Sequence, residues 1–238
     1  MASSENEYLI DTYKNDDRII SDYYKMKKNG ILVDVEGIVN PARIDNRQLM
    51  SPTDNQGQYS ACAGFSAATL IESIYWKRTG ILKQLDSLQV YQLAKQNDGS
   101  RGDLGTYLEY ACQAVLDLAK KDPDFEFLND AKVGLFYNDG TQNTIENVKH
   151  LLHKHDFLQV GFYIDDGWYD CNEENYVLKA RGSACGGHAV NLAGFDNEGF
   201  YVLNQWGKDW GAKGYAIMPY ALFLKQLMYG AYIYNYTV

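Results

Sequence analysis

Hydrophobic positions from Cys62 to Arg78 fall on nearly every helical face (Phe65, Leu70, Ile71, Ile74, Tyr75, Trp76), and the run stops at Thr79-Gly80. A helix apolar almost all round is a buried central one. Leu85–Gln96 and Tyr107–Lys121 carry one-sided apolar spacing and read as two further helices, separated by a glycine-containing loop over 96–105 and closed by Asp122-Pro123. After Lys132 the period changes. Ala131–Tyr137 and Phe157–Ile164 read as strands with Thr144–His155 as a helix between them. A long polar loop over 165–187 precedes four strand-like runs, His188–Phe195, Gly199–Trp206, Gly214–Pro219 and Gly230–Val238. Upstream, Asp16–Lys28 has helical spacing stopped by Asn29-Gly30, Ile31–Val35 reads as a short strand, and Asn40-Pro41 opens an irregular stretch through Pro52 and Gly57. A helical first half followed by a mostly antiparallel second half predicts an α+β protein of two lobes facing across a cleft.

Composition narrows the partners. The 238 residues are 46% hydrophobic and 14% aromatic, enough for a packed core. A net charge of -9 lacks the basic footprint expected of a nucleic-acid binder, and no run approaches the length of a membrane span. The N-terminus lacks the basic and apolar regions of a secretory signal, and the four cysteines (Cys62, Cys112, Cys171, Cys185) show no CxxC. A reducing, cytoplasmic setting is the expectation, with signal-independent delivery into another cell as the alternative.

Candidate chemistry begins at Cys62. The polar stretch Gln56–Ser66 runs straight into the central helix, and Cys62 lies at the join. A thiol in the first helical turn meets unpaired N–H groups and the positive end of the dipole, which favour the nucleophilic thiolate. Taken alone, a small buried cysteine is the commoner fate. Of four histidines, His150, His153 and His155 crowd one helix end, with no Cys, Asp or Glu placed to complete a zinc-like set. Cys171, Cys185 and His188 lack a fourth ligand as well, so no metal and no cofactor is expected. His188 stands apart. It follows Gly186-Gly187, where backbone can approach a substrate, and it begins a strand.

Two paired motifs decide between these readings. Gly187-His188-Ala189-Val190 is followed by Asn204-Gln205-Trp206-Gly207-Lys208-Asp209-Trp210-Gly211-Ala212-Lys213-Gly214-Tyr215, and Asp54-Asn55-Gln56-Gly57 precedes Cys62-Ala63-Gly64-Phe65-Ser66. Together they resemble the papain-like cysteine peptidases (the papain/cathepsin family), in which a Cys-His-Asn triad acts. The resemblance runs from Pro41 to about Tyr220. It implies a papain-like fold with a helical lobe (about 53–130) and an antiparallel, β-barrel-like lobe (about 131–238) on either side of an active-site cleft, preceded by an extension over 1–40. It also implies Cys62 as nucleophile, His188 as its proton partner, Asn204 as the group that orients the imidazole, and Gln56 with the Cys62 N–H as oxyanion donors. Gly105, Thr106, Gly187 and Trp206 are implied as substrate-binding, Trp206 also covering the His–Asn contact.

Departures from the family pattern are as specific as the matches. Tyr59 and Asp103 stand where extracellular members carry a disulfide, Gln205 replaces the usual serine, and Thr106 replaces a glycine of the substrate wall. Ala63 replaces a tryptophan, which predicts a wider leaving-group side. The resemblance implies hydrolysis of peptide bonds through a thioester acyl-enzyme, with a polypeptide substrate and a protein inhibitor as partner classes. Two rivals are carried with it: an acyl transferase or deamidase acting on glutamine or isopeptide amides, and an inactive binding module. Residues 1–40 are read as a strap on the β lobe or a short inhibitory segment.

Overall fold

The computed structural model describes residues 39–236. The helix and strand expected before Pro41, and the role of the extension, lie outside the described residues.

Cys62–Thr79 forms the central helix, α1, and it ends in a left-handed Gly80 whose N–H bonds the Trp76 carbonyl. Fourteen residues of α1, from Cys62 to Tyr75, are buried, as its all-round apolar pattern requires. Ser87–Asp98 (α2) and Leu108–Ala119 (α3) pack around it. Gly64 permits the closest of these approaches: a Cβ there would sit 2.6 Å from the Tyr91 Cβ on α2. Lys132–Tyr137 (β2) follows, then α4 (Gln142–His155) and β3 (Leu158–Asp165).

Ala184–Phe195 (β4) begins four residues before the sequence expectation, because Gly186 and Gly187 pair with Ile164 and Tyr163 of β3 rather than looping out. Gly199–Leu203 (β5), Tyr215–Pro219 (β6) and Leu227–Tyr234 (β7) complete the sheet, with the short strand β1 (Ile44–Asp45) pairing onto β4. A seven-residue helix, α5 (Tyr220–Gln226), stands between β6 and β7 and was not legible as a separate element.

Every named strand pair is antiparallel, in the order β2-β7-β3-β4-β5-β6. The sheet does not close on itself, so the expected barrel-like lobe is an open antiparallel sheet. Its β6 edge is covered: Leu178 donates to the Ile217 carbonyl, and Ile217 donates to Tyr176. Two cores result. One joins α1, α2 and α3 to the near face of the sheet, through the small side chains Ala189 and Ala193 of β4. The other fills the far face with Val190, Leu192, Phe162, Phe200 and Phe223 beneath α4 and α5.

Candidate active site

The site forms where the start of α1 meets the start of β4. Among the helices with an acidic or hydroxyl cap, α2 uses Asp86 and α4 uses Thr141; α1 starts from Ala61 with no side-chain cap. The positive end of the helix dipole thus lies beside Cys62 with no acidic or hydroxyl side chain of its own cap residue against it. The Cys62 sulfur accepts the Ala189 backbone N–H at 3.3 Å, which places it against the residue after His188. That donor belongs to the strand, so no local motif around Cys62 could have announced it.

His188 is almost wholly buried, with one ring nitrogen assigned: Nε2 lies 2.7 Å from the Asn204 Oδ1. The same oxygen accepts the Gln205 N–H at 2.8 Å, which fixes the carboxamide. The other nitrogen, Nδ1, has no hydrogen-bond partner among the described residues. Burial pulls the imidazole down to about 4, and the Asn204 hydrogen bond opposes that pull. A neutral ring with one open nitrogen is a base waiting for a proton source.

Trp206 lies over the ring, centroids 4.8 Å apart, and Tyr169 stacks on Trp206 at 5.3 Å. Trp168 meets His188 edge-on at 5.9 Å and stacks on Trp210, whose indole N–H bonds the Trp168 carbonyl. Trp206 thus packs against the imidazole, and Trp210 packs in the far core. Trp168 was missed, since nothing in Asp165-Asp-Gly-Trp168 marks it as a neighbour of His188.

Gln56 is buried beside these groups by two backbone bonds between loops: Gln56 donates to the Gln205 carbonyl at 2.9 Å, and Gly207 donates to Asp54 at 2.9 Å. Gly207 has φ +81°, and a Cβ there would come within 3.1 Å of the Asn55 amide nitrogen. The Gln56 amide donates one N–H to the Tyr59 carbonyl at 2.8 Å. A side-chain amide has two N–H donors, so a second is left to give.

The stretch before Cys62 is held from the other side. The Asp103 carboxylate accepts the Ser60 N–H at 3.1 and 3.2 Å and the Tyr91 hydroxyl at 2.8 Å. At the expected substrate wall, the Gly105 carbonyl accepts from Lys95 Nζ at 2.8 Å, and the Thr106 hydroxyl bonds Asp98 at 2.6 Å. Ala63 belongs to the first core, and its carbonyl accepts from Gln159 Nε2 at 2.8 Å.

The remaining titratable candidates lie elsewhere. His155 packs on Tyr232 with centroids 4.7 Å apart, at the far end of α4. Among the described residues, no group of three His, Cys, Asp or Glu side chains is placed to hold a metal ion, and no helix is long and apolar enough to cross a membrane. Burial raises Cys112 strongly and Cys171 to about 12, and it raises Cys185 as well. These three thiols are kept protonated at neutral pH.

The model of the papain family cysteine proteases matches residues 40–222. Procathepsin L of Rattus norvegicus is 24% identical, covering 90% of this chain and 69% of its own length. Among solved structures, xylellain, a cysteine protease from Xylella fastidiosa, superposes with a TM-score of 0.65 at 16% identity, covering 97% of this chain and 96% of its own. The proform of Amb a 11, a cysteine protease and ragweed pollen allergen, gives 0.64 at 19% identity, covering 98% of this chain and 77% of its own.

Proposed function

The chain belongs to the papain family of cysteine proteases, and from that premise we propose that it hydrolyses peptide bonds with Cys62 as nucleophile and His188 and Asn204 completing a triad. The observation that carries this reading is the pairing of two facts at one place: the Cys62 sulfur accepts the Ala189 N–H, and the adjacent, buried His188 has Nε2 tied to Asn204 and no hydrogen-bond partner for Nδ1 among the described residues.

Charge balance gives the sequence of events. Burial alone disfavours an imidazolium at His188. It forms by taking the Cys62 proton, so that thiolate and imidazolium arise as a pair and neutralise each other. The thiolate is stabilised by the Ala189 N–H and the uncapped first turn of α1. Asn204, being neutral, holds the ring without adding a third charge. On attack, a sulfur–carbon bond forms, and the carbonyl oxygen takes the negative charge. The Cys62 backbone N–H and the second N–H of Gln56 receive that oxygen. The carbon–nitrogen bond then breaks as His188 gives its proton to the leaving amine. Water, losing a proton to His188, attacks the thioester, and thiol and acid product separate. The Gly105–Thr106 segment, held from behind by Lys95 and Asp98, serves as the wall along which a polypeptide substrate lies, with Gly187 and Trp206 on the facing side.

Labelling with an epoxide-type thiol reagent followed by peptide mapping tests the assignment. One adduct on Cys62 is expected, absent in Cys62→Ala and slowed in His188→Ala by about 10²- to 10⁴-fold. An inert Cys62 with labelling at Cys112 or Cys185 would refute it.

A further inference from the structure

A line of buried amides connects the nucleophile's helix to the histidine's orienting residue. The Gln205 side chain donates to Asn191 Oδ1 at 2.9 Å, and Asn191 Nδ2 donates to the Ser66 carbonyl on α1 at 2.9 Å. The Ser66 hydroxyl bonds the Cys62 carbonyl at 2.8 Å. Gln159 Nε2, from β3, donates to that hydroxyl at 2.6 Å and to the Ala63 carbonyl at 2.8 Å, while its Oε1 accepts the Cys112 thiol at 3.0 Å. Gln159, Asn191, Ser66 and Gln205 are all at most 1% exposed. Three amide side chains buried in an otherwise apolar interface are costly unless paired; here both polar atoms of Gln159 and Asn191 and the Nε2 of Gln205 are paired, while Gln205 Oε1 has no partner among the described residues.

Their placement is informative. Asn191 lies on β4 three residues after His188, opposite Leu203 of β5, and Asn204 follows Leu203 directly. Gln205, next to Asn204, reaches back across this strand pair to Asn191. One end of the line thus sets the turn that aims the Asn204 carboxamide at His188, and the other ends on the carbonyls of the helical turn that begins with Cys62. The donors of Asn191 and Gln159 also point the positive ends of their dipoles at that turn, which favours negative charge on the sulfur.

We propose that Asn191, Gln205 and Gln159 are positioning residues, fixing the spacing of the Cys62 thiolate and the His188 imidazolium and thereby the pH at which that pair forms. The inference rests on the triad reading above. None of the three touches substrate.

The test is the pH dependence of Cys62 alkylation by iodoacetamide in the full chain, between pH 3 and 9. Asn191→Leu and Gln205→Met each leave a buried amide partner unpaired, so both are expected to lower the melting temperature. The double variant Asn191→Leu/Gln205→Met removes both partners and regains most of it. All three are expected to show the acid limb of alkylation moved up by about half to one pH unit, the scale on which one hydrogen bond shifts a titration. A double variant that keeps the limb of the unaltered chain overturns the proposal, because the line is then structural only. Ser66→Ala, which removes a single hydroxyl at the junction, is the variant to use if the others do not fold; an unshifted limb there overturns the proposal equally. Failure of the triad reading looks different. The unaltered chain would itself lack an acid limb and alkylate only as an ordinary thiol, above about pH 8.

Discussion

The near face of β4 and its far face are equally buried and differently made. Toward α1 the strand presents Ala189, Asn191 and Ala193: two small groups and one amide, whose Nδ2 bonds Ser66 across the interface and whose Oδ1 accepts from Gln205 beside it. Away from α1 it presents Val190 and Leu192 to a dry aromatic layer in which Phe223 meets Phe200 at 4.5 Å and Phe162 at 5.5 Å. Apolar packing is non-directional and tolerates small shifts, whereas a hydrogen-bonded amide holds one orientation. The far face therefore supplies stability, and the near face supplies alignment, with His188 at the end of the strand that carries both.

The sharpest way to break this division is to damage the dry face and watch the chemistry. Phe223→Ala should cost about 3 to 5 kcal/mol of stability, as a fully buried ring does. The rate per folded molecule should stay within a few-fold of the unaltered chain, read by denaturant unfolding beside active-site titration. If the rate collapses with the core, the two faces are not separable. The converse experiment is Gln56→Ala. It should lower kcat by about 10²- to 10³-fold, equivalent to about 2.7 to 4 kcal/mol of barrier, while the melting temperature moves little. A loss confined to KM would remove Gln56 from the oxyanion site.

A smaller effect sharpens the contrast between two histidines. His155 is lowered to about 4, chiefly by burial and then by Lys154 and His150, against the opposing pull of Asp156. It shares its low value with His188 but has no thiol or amide hydrogen-bonded to its ring among the described residues. Below about pH 6.5 the unfolded chain takes a proton that the folded His155 refuses, so stability falls as pH drops from there toward 4. His155→Gln should flatten part of that fall in urea titrations, with kcat unchanged at every pH. A change in the kcat profile would mean that the far end of α4 communicates with the site.

The legible parts of the site were those with fixed spacing along the chain. Cys62 at a helix start, His188 after two glycines, and Asn204 at a set interval are local patterns, and the structure brings Cys62 against Ala189 and Asn204 onto His188. What escaped was long-range or compensatory. Gln159 and Asn191 read as ordinary polar residues of two strands, and Gln205 only as a replacement for the family's serine, because burial of an amide is visible only once its partner is placed. The glycines at 186 and 187 read as loop because pairing with β3 overrides their weak strand preference. The open edge of the sheet could not be read either, since closure depends on how strands tilt and not on which residues they contain. Helix α5 was lost because seven residues between two strands carry too little periodicity to stand out.

None of the four cysteines is in a disulfide, and the stretch leading into Cys62 is fastened by a carboxylate, through Ser60 and Tyr91 to Asp103. A covalent crosslink at that place would have to be made by an oxidant and could be undone by a reductant. A carboxylate gripping an amide and a phenol assembles as the chain folds, with no partner enzyme and no electron acceptor. The stretch before Cys62 is therefore fastened on folding whatever the redox poise around it, and a reductant leaves that support untouched.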